Sequence, residues 1–186
     1  MNLACALTWL RIALTPVFAL VFFWESRWGA LLALALVIVS ELTDLFDGMA
    51  ARKMNQVTDL GKILDPFADS ISRLTVFVCF ACAGIVPMFF VLLILYRDSL
   101  VSTIRTVCAH KGQVVAARAT GKIKAIVQAT AIISILVLRA SAPLEEINAP
   151  TAHTFWLMAI ATAVTVYSAF DYLAGNWKTL GLAGGR

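Results

Sequence analysis

The amino-acid sequence predicts an all-α integral membrane protein with six transmembrane helices and both termini on the cytoplasmic side. Of its 186 residues, 61% are hydrophobic and only 14% are charged, and the mean hydropathy is +0.87. Soluble proteins have an apolar share of about 45–50%. The apolar residues are gathered into segments of about 20 residues, the length of helix that crosses the hydrocarbon core of a bilayer. We therefore expect residues 1–186 to form a single membrane domain.

Three apolar segments occupy the first half of the chain. The first covers about residues 3–24 and is long enough to span a membrane. The second begins near Trp28 and is expected to continue as one helix beyond the hydrocarbon core, because neither a proline nor a pair of glycines interrupts it before Arg52. The third runs from about 60 to 83, after a polar turn that contains cap-forming residues.

The second half of the chain supplies three more segments. The fourth covers about 88–110, after a turn at 84–87, and the fifth covers about 118–139. The sixth covers about 155–173 and is followed by a short tail that contains glycine. Six spans place both ends of the chain on the same side of the membrane.

Basic residues decide the orientation of the six spans, because they are enriched on the cytoplasmic side of membrane proteins. One side of the predicted bundle receives only Arg27 and Arg139. The other side receives Arg52, Lys53, Lys62, Lys111, Arg118, Lys122, Lys124, Lys178 and Arg186. This distribution predicts that both termini lie in the cytoplasm. The net charge of +4 follows from the same excess and indicates membrane lipids with anionic head groups as partners, not nucleic acid.

The four cysteines and two histidines do not indicate a redox, zinc or haem site. Cys79 and Cys82 have a C-x-x-C spacing, but no further cluster of cysteine or histidine accompanies them. Because they lie in apolar stretches, we interpret them as small buried residues of a helix.

Four aspartates between positions 44 and 69 form the most informative cluster of the chain. Asp44 and Asp47 are three residues apart, and Asp65 and Asp69 are four apart, so each pair lies on one face of a helix. Two such helix ends facing each other would gather four carboxylates in a small volume. Clustered carboxylates repel one another unless a cation neutralises them, and hard divalent ions prefer carboxylate oxygens. The spacing therefore predicts a site for Mg²⁺ or Mn²⁺.

The aspartates are part of a longer pattern of fixed spacing. It resembles the signature of the CDP-alcohol phosphotransferase family, D-x2-D-G-x2-A-R-x8-9-G-x3-D-x3-D. The matching residues are Asp44, Asp47, Gly48, Ala51, Arg52, Gly61, Asp65 and Asp69. The resemblance implies a six-span fold with a cytoplasmic active site. It also implies transfer of a phosphoryl-linked group from a cytidine diphosphate alcohol to an acceptor hydroxyl.

The resemblance further implies a role for each residue of the signature. Asp44, Asp47 and Asp65 would hold the metal, and Asp69 would take the proton from the acceptor hydroxyl while also contacting a metal. The nucleotide would be bound by Gly48, Ala51, Arg52 and Gly61. Glycine allows the nucleotide to approach the backbone closely, and arginine pairs with phosphate oxygens. In such a transfer, positioning and neutralisation of the pyrophosphate supply most of the catalysis.

A second set of basic residues indicates the acceptor. Arg97 and Arg105 are eight residues apart, about two helical turns, so they share a face, and Lys122 follows at the start of the next helix. These three side chains predict a pocket for an anionic group. The surrounding segments, R-D-S-L-V-S-T-I-R and T-G-K-I-K-A-I-V-Q, resemble bacterial phosphatidylglycerophosphate synthases.

This second resemblance implies phosphatidyl transfer from CDP-diacylglycerol to sn-glycerol 3-phosphate at the cytoplasmic face of a bacterial inner membrane. By the same resemblance, Arg97, Arg105 and Lys122 would bind the phosphate of the acceptor. Members of the family commonly form homodimers, and this sequence neither supports nor excludes one.

Other interpretations stay open. Ser70 stands where that subfamily usually has lysine, so inositol phosphate is a second candidate acceptor, followed by inositol, serine or a pair of CDP-choline and diacylglycerol. A divalent-cation transporter could also place aspartates in its helices. It would need acids along a path through the membrane, and the outer halves of the predicted spans lack them.

Overall fold

The computed structural model describes residues 3–54, 59–110 and 119–177, and it describes the side chains at 6, 8–43, 67–108 and 119–177. The described chain is all-helical and contains six long α-helices. They are α1 Leu3–Phe22, α2 Arg27–Met54, α3 Asp59–Cys82, α4 Met88–His110, α5 Ala119–Ser141 and α6 Ala152–Asn176. A short 3₁₀ turn, Leu144–Glu146, precedes α6.

The six helices correspond to the six predicted segments, and the largest differences are in α6, which runs three residues further at each end. Its start is set by Thr151, whose Oγ1 accepts a hydrogen bond from the backbone N–H of Thr154. The Thr154 hydroxyl in turn accepts a hydrogen bond from the backbone N–H of Thr151. Such a capping box satisfies N–H groups that the first helical turn leaves unpaired.

The helices pack as two pairs, α1 with α2 and α4 with α6, and α3 and α5 connect these pairs. α1 packs against α2 and α3, α4 packs against α3 and α6, and α5 contacts α2, α3 and α6. The turn after α3 contains Gly84 with a φ of 76°, a left-handed conformation that glycine adopts without steric cost. Because α3 and α6 each contact both α4 and α5, these four helices surround a common space.

The main apolar core fills the half of the bundle that holds the end of α1 and the start of α6. Phe22, Phe77 and Phe80 are completely buried there. The ring centroids of Phe22 and Phe80 are 5.7 Å apart, and those of Phe77 and Phe80 are 6.4 Å apart. Close packing of this kind holds helices together in a bilayer, where lipid offers no hydrophobic driving force between them. The core joins the helices at this end of the bundle. Towards the other end of α4, a smaller apolar cluster joins α4 to α6 and consists of Val101, Ile104, Cys108 and Tyr172.

The described surface is apolar in the way that is typical of a membrane protein. α5 and α6 are each long and apolar enough to cross a membrane, judged by length and composition. Large apolar side chains are exposed around the bundle, and Leu20, Phe89, Ile126 and Phe170 are 63% to 78% accessible. Exposed apolar surface of this extent marks contact with lipid or with another protein.

Arg139, near the end of α5, is buried at the end of the bundle where the apolar core lies, with 3% of its surface accessible. Its Nη2 donates a hydrogen bond to the backbone carbonyl of Phe22 at 2.7 Å, and its Nε donates to Asn148 Oδ1 at 3.1 Å. Its guanidinium carbon lies 4.0 Å from the centroid of the Phe22 ring. Because carbonyls at the end of a helix lack helical donors, Arg139 caps α1 and joins it to α5.

Arg139→Met is expected to destabilise the protein by about 2–4 kcal/mol, because the Phe22 carbonyl loses a charged donor and its ring loses a cation–π contact. Thermal unfolding in detergent, followed by circular dichroism, measures this loss as a lower Tm. Leu138→Ala, at an exposed neighbouring position, is the control. A variant R139M that unfolds at the wild-type temperature would contradict the capping role.

Candidate active site

A cavity of about 270 Å³ opens between α3, α4, α5 and α6. Four residues of the predicted site line it: Asp69 from α3, Arg97 and Arg105 from α4, and Lys122 from α5. The predicted catalytic carboxylate and the three predicted phosphate ligands therefore share one cavity. The other lining residues are Ser70, Arg73, Asp98, Gly121, Lys124, Ala125, Gln128 and Tyr172.

The remaining residues of the predicted site have side chains outside the described part of the structure. They are Asp44, Asp47, Gly48, Ala51 and Arg52 on α2, and Gly61 and Asp65 on α3. The backbone is helical at each of these positions, as the one-face spacing of the aspartates requires. Among the side chains that are described, no three potential metal ligands gather at one point, so the metal site stays a prediction.

Asp69 is the member of the predicted metal set whose side chain is described. Its side chain is 37% accessible, so the carboxylate can be reached from the cavity. The full set consists of four carboxylates, which are hard oxygen donors of the kind that Mg²⁺ and Mn²⁺ prefer. The residues present therefore fit a divalent cation.

Arg11 of α1 forms an ion pair with Asp69, and its Nη1 donates a hydrogen bond to Asp69 Oδ1. Arg11 is only 4% accessible, so the contact orients the carboxylate from inside the bundle. The sequence did not predict this pair. A single charge within an apolar segment is a signal of function in membrane helices, but the partner lies 58 residues away.

Asp98 of α4 bridges two basic residues in the wall of the cavity. Its Oδ1 accepts a hydrogen bond from Nη1 of Arg97 at 2.9 Å and from Nζ of Lys124 at 2.5 Å. Lys124 is 8% accessible, and a buried cation is costly unless a carboxylate pairs with it. Asp98 thus allows α4 and α5 each to bring a basic residue to the cavity.

α6 contacts both arginines of α4 through hydroxyl groups. Ser168 Oγ accepts a hydrogen bond from Arg97 Nε, and Tyr172 OH accepts one from Arg105 Nε, each at 3.1 Å. Ser168 and Tyr172 are four residues apart on one helix face, and both are buried. Within the described contacts, these bonds leave Nη2 of Arg97 and both Nη groups of Arg105 for a ligand.

The cavity carries an excess of positive charge, because five basic and two acidic side chains line it. Both acids are already paired, and Arg73 donates hydrogen bonds to the two carboxylate oxygens of Glu41 at 3.4 Å. Among the described residues, Arg105 and Lys122 have no carboxylate partner. The cavity therefore suits a ligand with two negative charges, such as a phosphate monoester.

Comparison with known proteins identifies the family. The family model described as CDP-alcohol phosphatidyltransferase matches residues 1–167. A Bacillus subtilis protein named CDP-diacylglycerol–glycerol-3-phosphate 3-phosphatidyltransferase is 34% identical over 96% of this chain and 97% of its own. Proteins of the same name from Rickettsia bellii and Treponema pallidum are 36% and 35% identical, over 91% and 75% of this chain and 93% and 70% of their own. Because the family match covers most of its length, the chain belongs to the CDP-alcohol phosphatidyltransferase family of enzymes.

Proposed function

We propose that the protein transfers a phosphatidyl group from CDP-diacylglycerol to sn-glycerol 3-phosphate, giving phosphatidylglycerophosphate and CMP. The observation that carries this proposal is the single cavity lined by Asp69 together with Arg97, Arg105 and Lys122. In this cavity, a carboxylate that can accept a proton lies beside a cluster of basic side chains that can bind a phosphate. The names of the Bacillus and Rickettsia relatives contain the same donor and acceptor and support the choice of substrates.

The donor would bind through the signature residues of α2 and α3. The backbone at Gly48, Ala51 and Gly61 would allow close approach of the nucleotide, and Arg52 would pair with its phosphates. A divalent cation, Mg²⁺ or Mn²⁺, held by Asp44, Asp47, Asp65 and Asp69, would supply positive charge to the pyrophosphate and to the leaving CMP oxygen.

The acceptor would bind in the cavity. Arg105 and Lys122, with Nη2 of Arg97, bind its phosphate group through charge-assisted hydrogen bonds. Asp69 takes the proton of the primary hydroxyl, whose oxygen attacks the lipid-linked phosphorus and displaces CMP. Arg11 keeps the Asp69 carboxylate in place during this transfer. Most of the catalysis on this account is positioning and electrostatics, as in other phosphoryl transfers.

The proposal includes a place in the cell. All six helices would cross a bacterial inner membrane with both termini in the cytoplasm, as the excess of basic residues on one side favours. The cavity then faces the cytoplasm, from which a water-soluble acceptor arrives. The acyl chains of CDP-diacylglycerol would enter sideways between helices from the lipid.

Two alternatives remain to be weighed. A cation transporter would need acidic residues along a path through the membrane, and the outer halves of the predicted spans lack them, which argues against this alternative. Inositol phosphate carries the same anionic group as glycerol phosphate, so the cavity charge alone does not separate these two acceptors. Neutral acceptors, such as inositol or serine, would leave the basic residues without a ligand.

Release of CMP by the purified protein in detergent tests the proposal. The reaction contains CDP-diacylglycerol and Mg²⁺ or Mn²⁺, with sn-glycerol 3-phosphate, inositol phosphate, inositol, serine or no acceptor. We expect release to require glycerol 3-phosphate and to fall at least about 100-fold when the metal is chelated, because the pyrophosphate then loses its counter-charge. Readdition of metal restores the rate.

Each outcome of this experiment bears on a different part of the proposal. Release with another acceptor would keep the role of the aspartates and overturn the assigned acceptor. Full activity after chelation, with metal content checked by elemental analysis, would overturn the metal site. No release with any acceptor, in protein shown to be folded, would contradict the reaction itself.

A further inference from the structure

Gln128 of α5 is a polar side chain buried in the wall of the cavity. It is 1% accessible and lines the cavity together with Arg97, Asp98 and Lys124. No step of the proposed reaction involves it. Because burying an amide without hydrogen bonds costs free energy, both polar atoms of this side chain need a partner.

Thr165 of α6 determines which way the Gln128 amide is turned. The Thr165 hydroxyl donates its proton to the backbone carbonyl of Ala161 at 2.6 Å, so its oxygen can only accept. Gln128 Nε2 donates a hydrogen bond to this oxygen at 2.9 Å. An amide turned the other way would set two acceptors against each other. The carbonyl oxygen of Gln128, Oε1, is therefore turned away from Thr165.

Gln128 Oε1 is an uncharged acceptor in the wall of the cavity that a ligand can use. Within the described part of the chain it accepts no hydrogen bond. The neighbouring Lys124 donates to Asp98 instead. The arginines and lysines of the cavity can only donate, so they cannot bind the proton of a hydroxyl group. Gln128 Oε1 can do so without adding charge to the cavity.

We infer that Gln128 Oε1 accepts a hydrogen bond from the secondary hydroxyl of the acceptor. This inference rests on the proposed function. In glycerol 3-phosphate, the phosphate is bound by Arg105 and Lys122, and the primary hydroxyl gives its proton to Asp69. The secondary hydroxyl is the one polar group of this acceptor to which the proposed reaction assigns no partner. Gln128 is then a specificity-determining residue that favours a polyol phosphate over a phosphate of equal length that lacks this hydroxyl.

Two acceptors that differ by one hydroxyl group test the inference: sn-glycerol 3-phosphate and 3-hydroxypropyl phosphate. For the wild-type enzyme, kcat/KM is expected to be at least about 10-fold higher with glycerol 3-phosphate. Gln128→Met keeps the length of the side chain and removes the amide. It is expected to lower kcat/KM about 10-fold with glycerol 3-phosphate and less than about 3-fold with the analogue.

A pair of threonine variants on α6 provides a second measurement. Thr165→Val leaves Gln128 in place but allows its amide to turn, so the preference for glycerol 3-phosphate is expected to fall about 3-fold. Thr162→Val is the matched control, because Thr162 is also buried and its hydroxyl has no partner among the described residues. T162V is expected to keep the wild-type preference.

The outcomes separate this inference from the proposed function. An equal loss with both acceptors in Q128M, or an unchanged preference in T165V, would overturn the role of Gln128 while the reaction stands. If wild-type protein releases no CMP with either acceptor, the proposed function is contradicted instead. If Q128M does not fold, the comparison of T165V with T162V decides.

Discussion

Asp69→Asn is expected to lower the rate of CMP release about 10³-fold, while the affinity for CDP-diacylglycerol changes less than about 3-fold. Asparagine has nearly the volume of aspartate, and its carbonyl oxygen can still accept the hydrogen bond that Arg11 donates to Asp69. The amide cannot take a proton from the acceptor hydroxyl, whereas the other three aspartates of the proposed metal set still hold the cation. The loss should therefore be much larger in kcat than in binding of the donor.

Single-turnover release of CMP from preloaded CDP-diacylglycerol measures the rate, and retention of the labelled lipid measures binding. Glu145→Gln makes the same carboxylate-to-amide change at an exposed site in the turn before α6 and should behave as wild type. If D69N works within 10-fold of the wild-type rate, another group takes the proton and the assigned base is wrong.

The six helices could be predicted because each contains an apolar segment, and polar, glycine or proline residues separate these segments. The unbroken α2 followed from the absence of a proline or a pair of glycines before Arg52, and the turn after α3 followed from Gly84. The ends of α6 were predicted less well. Apolar content marks the middle of a helix, whereas its first residue depends on the hydrogen bonds between Thr151 and Thr154.

The grouping of Arg97, Arg105 and Lys122 could also be predicted, because their spacing places them on one face or at a neighbouring helix end. The contacts that hold them could not. Arg97 bonds to Ser168, 71 residues away along the chain. A serine in an apolar helix is an ordinary residue, and its role becomes visible only when α6 packs against α4.

The same reason explains why Arg11 and Gln128 were missed as site residues. Each lies in an apolar segment, and each is positioned by a side chain on another helix, Asp69 for Arg11 and Thr165 for Gln128. Sequence spacing reports which residues share a helix face. It does not report which face of another helix will cover them.

Arg105→Ala is expected to raise KM for sn-glycerol 3-phosphate about 10–100-fold, because a hydrogen bond to a charged group contributes about 1.5–3 kcal/mol. KM for CDP-diacylglycerol should change less than about 2-fold, since Arg105 lines the cavity proposed for the acceptor. Steady-state CMP release with each substrate varied in turn measures both constants. Arg27→Ala, which removes an exposed arginine at the start of α2, is the control.

Tyr172→Phe tests whether the contact of Arg105 with Tyr172 positions the guanidinium group for the acceptor. The change removes the hydroxyl that accepts from Arg105 Nε at 3.1 Å but keeps the aromatic ring, whose centroid lies 5.6 Å from the guanidinium carbon. We expect KM for the acceptor alone to rise about 3-fold. Equal rises in both KM values after R105A would instead assign Arg105 to the fold or to the donor. A cation that only balances charge would not respond to the loss of a neutral hydroxyl, so a response to Y172F would mean that the phosphate is bound by a positioned guanidinium group.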